Sequence, residues 1–206
     1  MRPRVLSVNV GAIRLVEWRG VHVTTGIWKQ SVAGRVALRG VNFEGDDQAD
    51  RSVHGGPDKA VYAYASEDYD YWRDEEGLDT PTALFGENLT TVGLDLSAAM
   101  PGEQWRVGSA LLEVTQPRLP CYKLGIRMGD PRFLRRFLAA RRVGAYLRIV
   151  QAGDVGEGDE VHIVSRPDHG VSLRDMVDAV RDPAKAAALR AVRHLPKYWQ
   201  EIADGV

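Results

Sequence analysis

The most constraining feature of this sequence is how often it is interrupted. Its apolar stretches are short, rich in β-branched and aromatic residues, and closed off by Gly, Pro or Asp. "QWRVG", "ALLEVTQ", "AYLRIVQAG" and "DEVHIVS" follow one another between residues 104 and 165, and each reads as a strand. Upstream, Leu6, Val8 and Val10 alternate with Ser7 and Asn9, the period of a half-buried strand. Val61, Ala63 and Ala65 alternate in the same way with Tyr62 and Tyr64. Many short strands at close spacing predict an antiparallel barrel or sandwich, so the fold class is mainly β with α.

Helices punctuate this pattern. "SEDYDYWRDEE" opens at Ser66, read as an N-cap, with Glu67 and Asp68 suited to the first turn. "DPRFLRRFLAARR" pairs an Asp130 cap with Pro131 at the first helical position, and Phe133, Leu134, Phe137 and Leu138 share one face. Its arginines (132, 135, 136, 141 and 142) read as a solvated basic face, with a docking patch for an acidic partner as the alternative. Near Arg166 the strand pattern stops. Leu173, Met176, Val177 and Val180 then form a helical stripe, Asp182–Pro183 restarts a second helix and Leu195–Pro196 a third. The expected organisation is a β domain over residues 1–165 and a helical subdomain over 166–206. A trio of this size does not stand alone. It packs on the barrel or on another subunit, which makes a homodimer one of two expectations.

Charge and cysteine usage exclude several classes. The net charge of −1 gives no global attraction to nucleic acid or anionic lipid. One cysteine, Cys121, cannot form an internal disulfide. No run approaches the ~18 apolar residues of a membrane helix, and the N-terminus lacks the pattern of a secretory signal. A soluble cytoplasmic protein is expected. There is no P-loop, "GDVGEG" lacks the spacing of a dinucleotide fingerprint, and the "HGG" at 54–56 has no G-x-S-x-G nucleophile to serve. The acidic "DDQAD" fails the calcium-loop pattern, so Asp46, Asp47 and Asp50 read as turn and capping residues.

Two stretches remain for chemistry. In "HGGPDKAVYAY" (54–64), glycines and a proline hold His54, Asp58 and Lys59 at the start of a strand. In "QPRLPCYKLG" (116–125), Pro117 and Pro120 stiffen the approach to Cys121, and the residues after it can start a short helix. That position favours a thiolate, as do Arg118 and Lys123 close by. A lone cysteine is otherwise a buried, inert side chain. A thiolate here suits a nucleophile working with a histidine. It equally suits the single protein ligand of a soft metal whose other ligands come from a cofactor. Lys29, Arg51, Lys59, Arg118 and Lys123 lie near strand ends, where they could hold a phosphate.

With these motifs in place, the sequence resembles the MOSC family, named for the C-terminal domain of molybdenum cofactor sulfurase, in its bacterial YiiM-like branch. The likeness rests on "GDDQADRSVHGGPDKAVYAY" (45–64), "LFGENLTT" (84–91) and "QPRLPCYKLG", with a weaker match in "TGIWKQSV" (25–32). Together these span most of residues 1–165, and "HLPKYW" (194–199) is similar to part of the branch's three-helix appendage. The resemblance implies a MOSC-type β-barrel followed by a small helical subdomain, and a bound molybdenum cofactor (molybdopterin). It implies Cys121 as the molybdenum ligand and as a catalytic residue together with His54. Lys29, Lys59, Asn88 and Arg118 are implied as cofactor-binding groups, with Asp58 and Tyr62 as supports. Glu87 is either a ligand-orienting carboxylate or an ion-pair partner. The implied reaction is reduction of N-hydroxylated compounds such as hydroxylaminopurine base analogues, fed by a separate flavin or iron–sulfur reductase. The alternative is a persulfide carrier or a non-catalytic cofactor-binding module.

Overall fold

A computed structural model describes residues 2–49 and 55–205. The chain opens with β1 (Arg4–Val10), a hairpin of β2 (Arg14–Trp18) and β3 (Val21–Thr25), a short β4 (Gln30–Val32), and the pair β5 (Arg35–Arg39) and β6 (Asn42–Phe43). β7 (Val61–Ala65) runs directly into α1 (Ser66–Asp74), and β8 (Leu89–Val92), β9 (Gln104–Val107) and β10 (Ala110–Pro117) follow. α2 (Tyr122–Met128) and α3 (Phe133–Ala140) precede β11 (Ala145–Gln151), β12 (Gly153–Gly156) and β13 (Val161–Ser165). The tail is α4 (Leu173–Ala179), α5 (Pro183–Ala188) and α6 (Lys197–Asp204).

Eight strands form one sheet in the order β13-β9-β10-β11-β7-β8-β1-β4. Every pairing in it is antiparallel except β7 with β8, the crossover that contains α1. The sheet rolls up. Arg4 bridges to Glu160, Val161 N donates to Pro3 O at 2.9 Å, and Val5 N donates to Asp159 O at 2.9 Å. β1 therefore meets the approach to β13, and the expected barrel takes the form of a rolled sheet stitched at one end. The smaller sheet β12-β5-β6 packs beside it.

β7 shows why the sequence alternates. All five of its residues are buried. Val61, Ala63 and Ala65 face the main core, while Tyr62 and Tyr64 face a second, aromatic core with Tyr69, Trp72, Phe85, Phe133 and Phe137. The period of two separates two cores rather than core from water. β1 departs from expectation for a related reason. A bulge against β8 between Val5 and Ser7 shifts the register, so Val5, Ser7, Val8 and Asn9 are buried while Leu6 and Val10 are half-buried.

Side-chain caps set the starts of α4 and α5 but not those of α1 and α3. α1 begins at Ser66 with Ala65 in the cap position, one residue earlier than the sequence reading, and Ser66 Oγ bonds Glu67 instead of the backbone. Asp130 accepts from Arg132 N at 2.9 Å, but α3 begins at Phe133 with Arg132 in the cap position and no side-chain cap, so Asp130 and Pro131 belong to the turn ahead of the helix and not to its cap and first position. α4 carries a reciprocal capping box between Ser172 and Asp175, and Asp182 caps α5 through Ala184 N at 3.0 Å. The tail has no core of its own. Met176, Leu189 and Trp199 belong to the same cluster as Trp105 and Leu112 of the barrel, and Trp199 Nε1 donates to Gln116 Oε1 at 2.9 Å. The tail thus packs on the barrel of its own chain. Among the described residues no helix is long and apolar enough to cross a membrane.

Candidate active site

One cavity collects the segments singled out in the sequence. Its walls come from residues 25–29, 46–49, 59–62, 85–88 and 118–123, with Tyr146 of β11. Close backbone contact holds these loops together. Gly86 has φ +81°, and a Cβ there would sit 2.8 Å from Ile27 Cγ1. A Cβ on Gly26 would sit 2.5 Å from Asp47 O. Only glycine allows the three loops to abut this tightly.

Cys121 takes the N-cap position of α2 in an extended conformation, and its carbonyl accepts from Leu124 N at 2.9 Å. The side chain is half-buried in the cavity wall. The expected short helix after a proline-stiffened approach is therefore present. Lys59, Arg118 and Lys123 line the same cavity. Burial holds the Lys59 ammonium below the ordinary lysine value, against the opposing pull of Cys121 and Asp58. Arg118 is 5% exposed, lies over the Tyr62 and Phe137 rings at 5.6 and 5.3 Å, and its Nη1 has no hydrogen-bond partner among the described residues.

Lys29 is equally buried but differently placed. Its ammonium pairs with Asp46, and the two side chains are 8% and 2% exposed. Asp46 Oδ1 also accepts from Gly11 N at 2.9 Å, and its Oδ2 from Asn88 Nδ2 at 2.9 Å. Burial lowers the Lys29 pKa, opposed by Asp46, Glu87 and Asp47. Asp46 is thus more than a turn residue: it joins three segments and compensates a buried cation.

The remaining expected site residues divide. Asn88 lines the cavity, but it braces the protein. Its Oδ1 accepts from Tyr62 N at 3.1 Å, and its Nδ2 donates to Asn9 O at 3.3 Å as well as to Asp46. Tyr62 presents its ring to the cavity while its hydroxyl donates to Val143 O at 2.9 Å; burial raises its pKa well above the usual phenol value. Asp58 lies outside the wall and pairs with Arg148 at 2.7 Å, because the turn at residues 57–59 aims it at β11. Glu87 is fully buried and accepts from Tyr69 Oη at 2.6 Å and Thr90 Oγ1 at 3.1 Å, so among the described residues hydroxyl groups hold it and not an ion pair. His54 and Arg51 lie outside the described residues. Asp46 and Tyr146 are wall residues that the sequence reading passed over. The acidic run around Asp46 was visible, but its partner Lys29 belongs to another segment.

Residues 50–162 match the MOSC domain. The chain is 39% identical to the uncharacterized protein YflK of Bacillus subtilis over 84% of its own length and 78% of that protein's. It is 33% identical to a protein of Gibberella moniliformis named "Reductase", over 79% of this chain and 29% of that one. The crystal structure of YiiM from Geobacillus stearothermophilus superposes with a TM-score of 0.79 at 27% identity, covering 98% of both chains.

Proposed function

Since this chain belongs to the MOSC domain family, we propose that it binds the molybdenum cofactor in the cavity at Cys121 and reduces N-hydroxylated compounds to amines. Hydroxylaminopurine-type base analogues are the expected kind of substrate. The observation that carries this reading is a half-buried thiol sharing a cavity with buried Arg118, whose Nη1 lacks a partner among the described residues. A buried donor left unpaired costs roughly 1–3 kcal/mol, and a phosphate oxygen is a well-suited acceptor for it. Among the described residues no cluster of three or more His, Cys, Asp or Glu is placed to hold a metal. A soft metal at Cys121 would therefore take its other ligands from a cofactor, and the residues present fit that arrangement.

Bound there, the cofactor supplies two-electron redox chemistry at the metal. Cys121 anchors the metal, Arg118, Lys59 and Lys123 hold the phosphate, and the rings of Tyr62 and Tyr146 exclude water beside Arg118. The overall reaction takes R–NH–OH, two electrons and two protons to R–NH2 and water. The chain has one cysteine and so cannot ligate an iron–sulfur cluster by itself. A separate flavin or iron–sulfur reductase in the cytoplasm would deliver the electrons. The match to the fungal reductase supports this, because it leaves most of that longer protein for other parts.

The test is elemental analysis and turnover of a hydroxylaminopurine, using protein made in a host that synthesises the cofactor. Wild type is expected to carry molybdenum, and Cys121→Ser to lose both metal and activity with its fold intact. A serine variant that turns over normally would overturn the reading. Wild-type protein that carries no molybdenum and is heavier by one sulfur atom at Cys121 would favour the persulfide carrier instead.

A further inference from the structure

The helical tail reaches the chain segment behind the cavity through one side chain. We infer that Trp199 is a positioning residue: it holds Gln116 and thereby sets the aim of Arg118. The part of the test read through phosphate rests on Arg118 as an anion-holding group; the hold on the segment does not. Trp199 and Gln116 are 0% and 5% exposed, and the indole Nε1 donates to Gln116 Oε1 at 2.9 Å. Gln116 Nε2 has no partner among the described residues, so within them the indole alone orients this buried amide.

Gln116 needs that hold because of where it lies. The β10–β11 ladder shifts register between Val114 and Gln116, and past the shift Gln116 faces Tyr146 and Pro117 faces Ala145. Such a shift leaves a residue out of the ladder and bends the strand, which re-aims the side chains that follow. Thr115 is the residue in between, and its Oγ1 lies 2.6 Å from Asp58 O and 3.1 Å from Tyr146 O. Thr115 is thus held by the turn at 57–59 and by β11, and Gln116 by α6. The path beyond is stiff, because Pro117 and Pro120 fix their own φ angles. A rotation at Gln116 is therefore carried on to Arg118 instead of being absorbed. The Arg118 backbone adds little restraint of its own, since its N–H reaches Gly144 O only at 3.4 Å. Arg118 and Tyr146, the residue opposite Gln116, both line the cavity.

Trp199→Phe keeps a ring in the tail and removes the donor. Leu189→Val is the control: it trims another buried tail side chain of the same apolar cluster and leaves the indole in place. Two measurements on the full chain decide. In calorimetric titration with inorganic phosphate, Trp199→Phe should bind roughly fivefold more weakly than wild type, and Leu189→Val as wild type does. In hydrogen exchange read by mass spectrometry, residues 118–124 should exchange faster in Trp199→Phe and unchanged in Leu189→Val. If either measurement is unchanged in Trp199→Phe, or if Leu189→Val shifts both as far, the indole is only a tail anchor and the inference is wrong. Should Trp199→Phe fail to fold, Gln116→Met, which removes the acceptor and keeps the indole, decides by the same two measurements. The reading of Arg118 fails in a different way: wild type binds no phosphate, or Arg118→Met leaves binding untouched. Hydrogen exchange alone then decides whether Trp199 holds the segment.

Discussion

Glu87 illustrates how the site's neighbourhood constrains a single side chain. Its Oε1 takes hydrogen bonds from Tyr69 and Thr90, while Oε2 is buried without a partner among the described residues. Burial raises its pKa above the ordinary glutamate value, and those hydrogen bonds offset only part of the rise. The folded protein thus keeps this proton to a higher pH than the unfolded chain. Stability is lost as pH climbs from the ordinary value through the raised one, and is flat beyond it. Glu87→Gln removes that loss. The melting temperature of the variant relative to wild type is expected to increase as pH rises above the ordinary glutamate value; a difference independent of pH would contradict the assignment. At this scale the sequence was legible where the signal is local. Cys121 stands between prolines and cations that are its neighbours along the chain, and the structure puts Lys59, Arg118 and Lys123 beside it. Asp46 was not legible. Its role exists only because folding buries Lys29 against it, and no local pattern marks that burial. The Arg148 partner of Asp58 was no more legible, because it lies far along the chain on β11 and only the turn at residues 57–59 brings the two together.

Among the elements, β7 and the loop before β11 work as a unit. Tyr62 Oη and Tyr64 Oη donate to Val143 O and Arg142 O at 2.9 and 2.8 Å, which draws this loop onto the strand. Gly144, at φ +72°, passes so near that a Cβ would lie 2.4 Å from Ala63 O and 2.8 Å from Tyr62 Cε2. Gly144→Ala should cost roughly 1–3 kcal/mol through backbone strain and displacement of Tyr62. Urea denaturation measures the cost, and a loss of Arg118-dependent phosphate binding would show that the cavity floor moved with it. Most strands and the tail helices were readable from alternation, stripe and cap. The faces were harder to assign. Alternation reports that two sides differ, not that one of them is water, and β7 is buried on both. The arginines of α3 and of the turn after it find partners on distant segments: Arg136 pairs with Glu76, Arg142 with Asp68 at 2.5 Å, and Arg141 with Asp178 at 2.8 Å. These pairs tie α3 and the turn after it to α1 and α4.

For the whole molecule, the decisive fact is that barrel and tail share one apolar cluster. Trp199 is fully buried in it and spans the two parts through Gln116. Trp199→Ala is expected to cost roughly 3–5 kcal/mol. It should lower a single unfolding transition without splitting it in two, and two separated transitions in calorimetry would show that the tail folds on its own. The stitching of β1 to the residues just ahead of β13 has a consequence for biosynthesis. The first strand emerges early, but the segment that seals its open end is made only after nearly the entire barrel. At ribosomal speeds that interval is roughly ten to thirty seconds. Throughout it, a nascent hydrogen-bonding edge waits for a partner still to be translated, and a chaperone that shields such edges should matter most in that window.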